Sequence, residues 1–534
     1  MDFDATCISY EQTGFFSKLV IDYLGNEEAI APFSEHPVSL TGLASSIENR
    51  KVFKGNRDTL AEVLQEQYDT VTSTQQVLDN IHLLKKDTTF TVTTAHQPNI
   101  FTGPLYFLYK ILHAIKLSAY CKEQFPQYDF VPVYYMGSED ADLDELGHIY
   151  LNGEKLEWKT QQHGAVGRML VDKPLLQLVD KMAGEVGVLP YGNEVISIIK
   201  KYYTEGVNIQ TATFGLVNEL FGQYGLLVVI PDNPMLKSLA VSVFKDELLH
   251  GHSAGIVEET GKRLIAAGYK VQAHSREINL FYLRDGSRNR MVKDNDVWRV
   301  LDSDIRFSQE ELLLELEAHP ERFSPNVILR GLFQETILPN IVFIGGGGEL
   351  AYWLQLKDLF AFYKVPYPVL ILRNSFLLVR QEQLRQMGKL GFDETAFFAP
   401  LKDLQDKWIL EHADNDISVD ETLQRLTDIY QALENQSANV DKSLKNHVAA
   451  LHSAADKRVR ELGKKLMRAE KRHQSDAMRQ IGQLKNGLFP HDNLQERIEN
   501  FIPYYAIYGR DLITALYDNS LALDQDFAVL KEKL

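Results

Sequence analysis

The chain has 534 residues, of which 45% are hydrophobic and 24% charged, a balance typical of a globular protein with two to four domains or substructures. Its formal net charge of −17 argues against general binding to nucleic acids or anionic membranes, because both are bound by clustered lysine and arginine. The two cysteines, Cys7 and Cys121, argue against a disulfide framework or a cysteine-based zinc site and favour a cytoplasmic location. We expect neither a signal peptide nor a membrane span.

Residues 1–88 are predicted to be helical and to pack on the rest of the core. Apolar side chains recur at helical spacing around Phe16 and again around Leu64. Nothing in this segment indicates chemistry.

A strand, a polar loop and a helix follow. Phe90–Thr94 is rich in β-formers, and Leu105–Tyr120 has one apolar helical face. In an open parallel sheet, ligands bind in loops at the carboxyl ends of strands, and the N–H groups at a helix start favour phosphate or carboxylate. We therefore predict that this loop binds an anion, although an ordinary turn is the alternative. Its candidate residues are His96, Gln97, Asn99, Thr102 and Gly103.

A second strand, Val131–Met136, runs directly into a loop with five carboxylates between Glu139 and Glu145. Such a run is usually a solvated loop. Because this one directly follows a buried strand, the pattern predicts a binding role and a solvated loop equally. Ser138, Glu139 and Asp140 are the candidates to bind a sugar or an ammonium group, or to hold Mg²⁺ beside nucleotide phosphates. A permanently bound metal is not predicted, because the spacing of nearby histidines matches no standard motif.

Residues 89–150 thus form a βαβ unit, the first half of a parallel-sheet core, and residues 151–340 form an insertion. The insertion contains strand-like runs at Leu226–Ile230 and Ile278–Leu283. Basic residues gather in one hairpin, which we interpret as a solvated face: Arg284, Arg288, Arg290 and Lys293.

Residues 341–415 are predicted to be the second half of the core, with strands at Ile341–Ile344 and Pro368–Arg373. The glycines of Gly345–Gly348 either cradle a phosphate or permit close packing of a helix on the sheet. Neither a P-loop nor the dinucleotide-binding glycine pattern is present. The candidates for this side of the site are Gly346, Gly347, Gly348, Glu349, Tyr352 and Trp353, with Arg373 and Asn374 as binders of a carboxylate.

Residues 416–488 are predicted to form a coiled coil, because apolar positions recur at steps of three, four or seven from Leu423 to Leu466 without a proline. Such a seam predicts a homodimer, with an antiparallel partner within the chain as the alternative. Its basic distal part is interpreted as a solvated helix face. The last segment, residues 489–534, is predicted to end in a short helix.

Three blocks, His96–Pro104, Gly137–Glu145 and Gly347–Trp353, together resemble the signatures of the BshC family, the cysteine-adding ligase of bacillithiol synthesis. Their order and spacing, and the coiled coil that follows, agree with that family over essentially the whole chain. The resemblance implies an α/β fold: a Rossmann-like parallel-sheet core with connecting-peptide insertions, related to class I aminoacyl-tRNA synthetases, and a long C-terminal α-helical coiled coil that mediates dimerisation.

The resemblance also implies a reaction that joins L-cysteine to the amine of glucosaminyl-malate. An amide forms in water only from an activated carboxyl, so we expect ATP, or bound ADP, with Mg²⁺ as an optional companion. The expected partners are small molecules and a second copy of the chain, with no nucleic acid and no membrane. The catalytic candidates are His96, Gln97, Glu139 and Asp140. Two alternatives stay open: another ATP-using ligase or nucleotidyltransferase on this fold, and a non-catalytic dimeric scaffold that binds nucleotide.

Overall fold

The computed structural model describes residues 3–413 and 417–533, which fall into two compact units. The first unit contains residues 3–377 and 494–533, and the second contains residues 378–493. The boundary predicted at residues 415 and 416 lies outside the described residues.

The strands and helices are numbered in chain order. The strands are β1 Phe3–Ile8, β2 Thr89–His96, β3 Asp129–Met136, β4 His148–Leu151, β5 Glu154–Glu157, β6 Leu227–Val229, β7 Leu280–Arg284, β8 Ser287–Asp294, β9 Val297–Val300, β10 Arg306–Phe307, β11 Phe323–Pro325, β12 Asn340–Gly345, β13 Val369–Leu372, β14 Ser375–Val379 and β15 Phe527–Glu532. The α-helices are α1 Tyr10–Thr13, α2 Lys18–Leu24, α3 Leu40–Lys51, α4 Arg57–Tyr68, α5 Gln75–Leu83, α6 Tyr106–Gln124, α7 Leu143–Leu146, α8 Lys173–Val186, α9 Gly192–Tyr202, α10 Ile209–Phe221, α11 Pro234–Ser238, α12 Val241–His250, α13 His252–Ala266, α14 Gln309–Ala318, α15 Val327–Ile337, α16 Gly347–Trp353, α17 Lys357–Tyr363, α18 Gln381–Leu390, α19 Leu401–His412, α20 Asp420–Val440, α21 Leu444–His473, α22 Ser475–Leu488, α23 Gln495–Ile498, α24 Ile502–Tyr508 and α25 Asp511–Asp518.

A five-stranded sheet with the order β13-β12-β2-β3-β6 is the centre of the first unit. All of its neighbouring pairs are parallel. Counted along the chain, the order is 5-4-1-2-3, which is the Rossmann order, with the switch in winding direction between β2 and β12. Ligands of such sheets bind beside that switch, at the carboxyl ends of the strands. The predicted α/β fold with a Rossmann-like parallel core is confirmed.

The core strands are buried along almost their whole length, as expected for a parallel sheet covered on both faces. Phe90, Val92 and Ile344 of the sheet pack with Leu117 of α6 and Leu43 of α3. Aromatic and β-branched side chains suit such strands because they fill the pleated surface. This packing fixes the edge from which the site-forming loops emerge.

The strand β6 lies beside β3 in the core sheet, whereas the sequence alone places the run Leu226–Ile230 within the insertion. A strand's own pattern does not specify its partner, and β3 and β6 are separated by helices α7 to α10. Between β6 and β12 the chain builds a second sheet, β10-β9-β8-β7-β11, in which all pairs are antiparallel.

The two ends of the described chain pair with each other. β1 runs antiparallel to β15, which lies between β1 and β14. The prediction of helix is therefore wrong for Phe3–Ile8 and for the end of the C-terminal segment. Each strand obtains its hydrogen bonds from the other, a pairing over more than 500 residues that neither local pattern reveals.

The predicted coiled coil is confirmed and is an antiparallel pair of helices, α20 and α21, within the second unit. The ring of Tyr430 stacks on His452 with 5.1 Å between centroids, and Lys445 forms an ion pair with Glu434 at 3.2 Å. The chain reverses after Val440, where Asp441 adopts extended angles. Large apolar side chains stay exposed on the pair: Ile429, Leu433, Val440, Leu444, Leu451, Leu462 and Leu466.

Within the described parts of the chain, no helix combines the length and the apolar character needed to cross a membrane.

Candidate active site

The loop after β2 is buried and has an unusual backbone. Phe101, Thr102 and Gly103 lie consecutively in the left-handed region, with φ of 50°, 69° and 67°. The N–H of Phe101 donates to the hydroxyl of Tyr203 at 3.0 Å, and the N–H of Gly103 donates to the carbonyl of Ile100 at 3.0 Å. These donors are already used within the protein, so a ligand at this loop meets mainly side chains.

The C-terminal segment holds this loop in place. The amide of Asn500 donates to the carbonyls of Phe101 at 3.0 Å and Gly103 at 2.5 Å. A Cβ atom at residue 103 would lie 2.8 Å from the Cβ of Asn99, so the position requires glycine for its packing as well as for its φ. The sequence carries no local signal for these contacts, because about 400 residues separate the partners.

Five polar side-chain atoms at this edge of the sheet are buried and have no hydrogen-bond partner among the described residues. They are His96 Nε2, Asn99 Oδ1, Thr102 Oγ1, Ser138 Oγ and Asn374 Nδ2. Their residues end or follow β2, β3 and β13, so they share the carboxyl edge of the parallel sheet. Buried polar atoms are nearly always hydrogen-bonded, and such a group of exceptions indicates a site at which a ligand completes the bonds.

A buried lysine that the sequence analysis did not identify lies next to His96. Lys110 of α6 donates from Nζ to the carbonyl of Ala95 at 2.8 Å and forms an ion pair with Glu349. Burial lowers the pKa of Lys110, and the Glu349 carboxylate opposes that change. Lys110 is the one charged residue in the run from Tyr106 to Ile115, and a lone charge in an otherwise uncharged helix is the signal that could have identified it.

Arg373, predicted to bind a carboxylate, is also buried at this edge. Its guanidinium donates to the carboxylate of Glu496 at 2.7 Å and lies 4.8 Å from the centroid of the Tyr106 ring. Burial alone would lower the pKa of Arg373, but the Glu496 carboxylate outweighs it and raises that pKa, so the arginine stays charged. The neighbouring Asn374 is held by backbone and side-chain bonds to His113 and Leu521.

His96 is neutral at pH 7. Burial, with the positive charges of Lys110 and Arg373, holds the pKa of His96 well below its usual value. Its ring lies edge-on to Tyr106, with 5.3 Å between centroids. Nε2 can therefore accept or donate one hydrogen bond to a ligand, depending on the tautomer.

The glycine run packs closely and also starts a helix. Glu349 accepts a hydrogen bond from the N–H of Gly346 at 2.8 Å, which caps α16. None of the four glycines has a positive φ. Added Cβ atoms at Gly345 and Gly347 would lie 2.8 and 3.2 Å from neighbouring side chains, whereas one at Gly348 would meet nothing within 4 Å. Close packing therefore explains Gly345 and Gly347, whereas the space beside Gly348 is open.

The two aromatic residues of α16 differ in position. Trp353 is 1% exposed and stacks on Phe343 with 4.2 Å between centroids, so it belongs to the core rather than to the wall of the site. Tyr352 is half-buried and lies within electrostatic range of Glu349 and Arg330.

Two carboxylates of the acidic loop, Asp140 and Glu139, are paired with cations of the protein. Asp140 Oδ2 lies 3.3 Å from Arg330 Nη2 and 3.4 Å from Gln97 Nε2. Burial raises the pKa of Asp140, but Arg330 and Arg288 outweigh it, and the net pKa is below the usual value. Gln97, Asp140 and Arg330 thus form a second polar group at the same edge, on the side of β3.

Glu139 lies apart from this group. Its carboxylate is 2.5 Å from Nζ of Lys237, which is 0% exposed and also donates to the carbonyl of Phe323 at 2.7 Å. Burial raises the pKa of Glu139, and Lys237 opposes the change. Among the described residues, no three His, Cys, Asp or Glu side chains come together in a way that could hold a metal ion.

The insertion supplies the arginines that the sequence did not assign to the site. Arg288, interpreted from the sequence as part of a solvated face, is half-buried, with its guanidinium over the ring of Phe281, 4.0 Å from the ring centroid. Burial and the charge of Arg330 lower the pKa of Arg288 to about 10, so it remains a cation at pH 7. The edge therefore combines buried cations, paired carboxylates and unpartnered polar atoms, an arrangement suited to anionic groups of a small ligand.

Two models of known domains cover nearly the whole chain. The model of "Bacillithiol biosynthesis BshC, N-terminal Rossmann-like domain" matches residues 3–374, and that of "Bacillithiol biosynthesis BshC, C-terminal coiled-coil domain" matches residues 376–532. A protein of Flavobacterium psychrophilum, named "Putative cysteine ligase BshC", is 38% identical over 528 residues, which cover 98% of this chain and 99% of that protein. A protein of the same name from Flavobacterium johnsoniae is 37% identical with the same coverage. The chain therefore belongs to the BshC family.

Proposed function

We propose that this protein is a ligase that joins the carboxyl group of L-cysteine to the amine of glucosaminyl-malate and so forms bacillithiol. The observation that carries the proposal is the group of unpartnered buried polar atoms beside Lys110 and Arg373 at the carboxyl edge of the sheet. The carboxylate or phosphate oxygens of a small ligand can accept hydrogen bonds from the hydroxyls and the amide nitrogen in this group, beside two cations that are each paired with one carboxylate. The names of the relatives supply the cysteine and the ligase class.

We also propose that ATP activates the cysteine carboxyl, as an adenylate or an acyl phosphate. The carboxylate attacks the α-phosphorus and releases pyrophosphate, or attacks the γ-phosphorus and releases ADP. The amine then displaces AMP or phosphate from the acyl carbon and loses a proton to solvent. Buried, fixed cations stabilise the charge that develops during such transfers, since they need not reorganise. Lys110 and Arg373 are the cations for this role, and any Mg²⁺ arrives with the nucleotide phosphates.

The second polar group of the edge suits the amino sugar. Asp140 is ionised, is 21% exposed at its side chain and lies between Gln97 and Arg330. A carboxylate in this setting can accept hydrogen bonds from the sugar's hydroxyl or amino groups. His96 is proposed to hold a substrate by one hydrogen bond rather than to act as general base, because a strongly lowered pKa makes the imidazole a weak base.

The protein is further proposed to act as a homodimer through α20 and α21. That helix pair leaves large apolar side chains exposed between Ile429 and Leu466. Burying them against a second copy gains roughly 25 cal/mol per Å² of apolar surface. A second copy offers the same side chains, as the self-complementary interface of a two-fold dimer requires.

The test is a reconstituted reaction with the purified protein, ATP with Mg²⁺, cysteine and glucosaminyl-malate, followed by mass spectrometry. The expected result is bacillithiol in an amount equal to the nucleotide consumed, with AMP or ADP identifying the activation route. Serine in place of cysteine, and omission of ATP, serve as controls. A protein that binds both substrates yet forms no amide would contradict the proposal, as would amide formation without nucleotide.

A further inference from the structure

The hydroxyl of Tyr106 lies at the candidate active site without a hydrogen bond. Tyr106 begins α6 and is half-buried, with its ring edge-on to His96 at 5.3 Å between centroids and 4.8 Å from the guanidinium of Arg373. No residue within 3–413 and 417–533 gives or takes a hydrogen bond at this hydroxyl. Because polar groups in such surroundings normally have a partner, the hydroxyl is available to a ligand.

Arg497 is a second group of this kind, and its segment is fixed to the site on both sides. Glu496 pairs with Arg373 at 2.7 Å, and the carbonyl of Glu499 accepts a hydrogen bond from the N–H of Leu105 at 2.8 Å. Arg497 itself is exposed and lies within electrostatic range of Arg373 and of the tyrosine that follows Leu105. It forms no ion pair in the described part of the chain, so its guanidinium can turn to meet an anion.

A hydroxyl and a guanidinium together suit a carboxylate, whose two oxygens can each accept a hydrogen bond. Burial raises the pKa of Tyr106 to about 12, so the hydroxyl keeps its proton at pH 7 and can donate it. The carboxylates of Glu145 and Glu349 also lie within electrostatic range of Tyr106. Their negative charge disfavours the highly charged phosphate chain of ATP more than it disfavours a single carboxylate.

We propose that Tyr106 and Arg497 together bind a carboxylate of the malyl group of glucosaminyl-malate, and that they favour this substrate over an uncharged glucosaminide. The inference rests on the proposed function, because that function supplies the malyl group. Lys110 and Arg373, each already paired with a carboxylate, remain the cations for the reacting phosphoryl and acyl groups.

The test is calorimetric titration of the full-length protein with glucosaminyl-malate and with ATP and Mg²⁺. Methyl glucosaminide, which has the amino sugar but no carboxylate, is measured by competition. Tyr106→Phe removes the hydroxyl and keeps the ring beside Arg373. This variant and Arg497→Gln should each weaken binding of glucosaminyl-malate about tenfold. Their affinities for ATP and for methyl glucosaminide should stay within about twofold of the wild type.

The matched control is Arg306→Gln, which removes an exposed arginine of β10 with the same change in net charge and should bind all three ligands like the wild type. The inference is overturned if either Tyr106→Phe or Arg497→Gln binds glucosaminyl-malate with wild-type affinity, if the loss extends equally to methyl glucosaminide, or if only ATP binding falls. These measurements need no turnover. Selective losses in both variants of a protein that forms no amide would therefore support this inference and refute the ligase proposal.

Discussion

The buried ion pair between Glu139 and Lys237 predicts that Glu139 stabilises the fold rather than binds a substrate. Neither side chain is more than 8% exposed, and their charged atoms lie 2.5 Å apart. In Glu139→Gln the lysine keeps its bond to the Phe323 carbonyl at 2.7 Å but loses its only counter-ion among the described residues. We expect the variant to fold with reduced stability and to lose little substrate affinity.

The size of the stability loss follows from the burial of the pair. Removing one partner of a buried ion pair typically costs about 3–5 kcal/mol. The loss in free energy of unfolding is expected at the lower end, about 3 kcal/mol, because the Phe323 carbonyl and the new amide oxygen both accept hydrogen bonds from Lys237.

Urea unfolding followed by tryptophan fluorescence measures this loss, and a double-mutant cycle isolates the pair. Glu139→Gln combined with Lys237→Met removes both charges and should restore most of the stability. Asp140→Asn is the comparison for function: it should weaken glucosaminyl-malate binding about tenfold or more with a smaller change in stability. A Glu139→Gln protein as stable as the wild type, with weakened substrate binding, would refute this reasoning.

Three further predictions concern proton binding, catalysis and assembly. Burial lowers the pKa of His113 to about 4, so the contribution of its neutral form to stability is fully present above pH 6.5. The free energy of unfolding should fall by about 1.4 kcal/mol per pH unit as the pH drops from 6.5 to 4, and His113→Gln should flatten that slope in unfolding measurements. Lys110→Met should lower kcat/KM of amide formation about 100- to 1,000-fold with little loss of stability, because its carboxylate partner is 24% exposed and can be solvated, while Lys116→Met on the same helix should leave the rate unchanged. Leu433→Glu with Leu462→Glu should convert a dimer into a monomer in light scattering, and a dimer that persists in this double variant would contradict assembly through the helix pair.

The position of the candidate site could be predicted from the sequence because strand ends are local features. His96, Ser138 and Asn374 each follow a run of apolar and β-branched residues, and parallel strands bring such ends to one edge. Arg373 was predicted to lie at this edge for the same reason. The coiled-coil periodicity was equally local, although it could not distinguish a partner helix within the chain from one in a second copy.

The partners of these residues could not be predicted, because they come from distant segments. Arg330 reaches Asp140 across 190 residues, and Lys237 reaches Glu139 across 98. From the sequence, the run of carboxylates after β3 was therefore interpreted as a solvated loop or as a binding site for a sugar, an ammonium group or Mg²⁺, whereas the insertion supplies counter-charges to Glu139 and Asp140. The same limit applies to β1 and β15, whose pairing depends on the whole fold between them.

The bond between Arg373 and Glu496 has a consequence for synthesis of the protein. The two residues are 123 positions apart, and the intervening stretch contains the entire second unit. At a translation rate of about 5–20 residues per second, Glu496 leaves the ribosome roughly 6–25 s after Arg373. Throughout that interval the arginine must remain hydrated, since an unpaired guanidinium is too costly to bury. We therefore expect the sheet edge with the candidate site to stay open until the segment that contains Glu496 has been made.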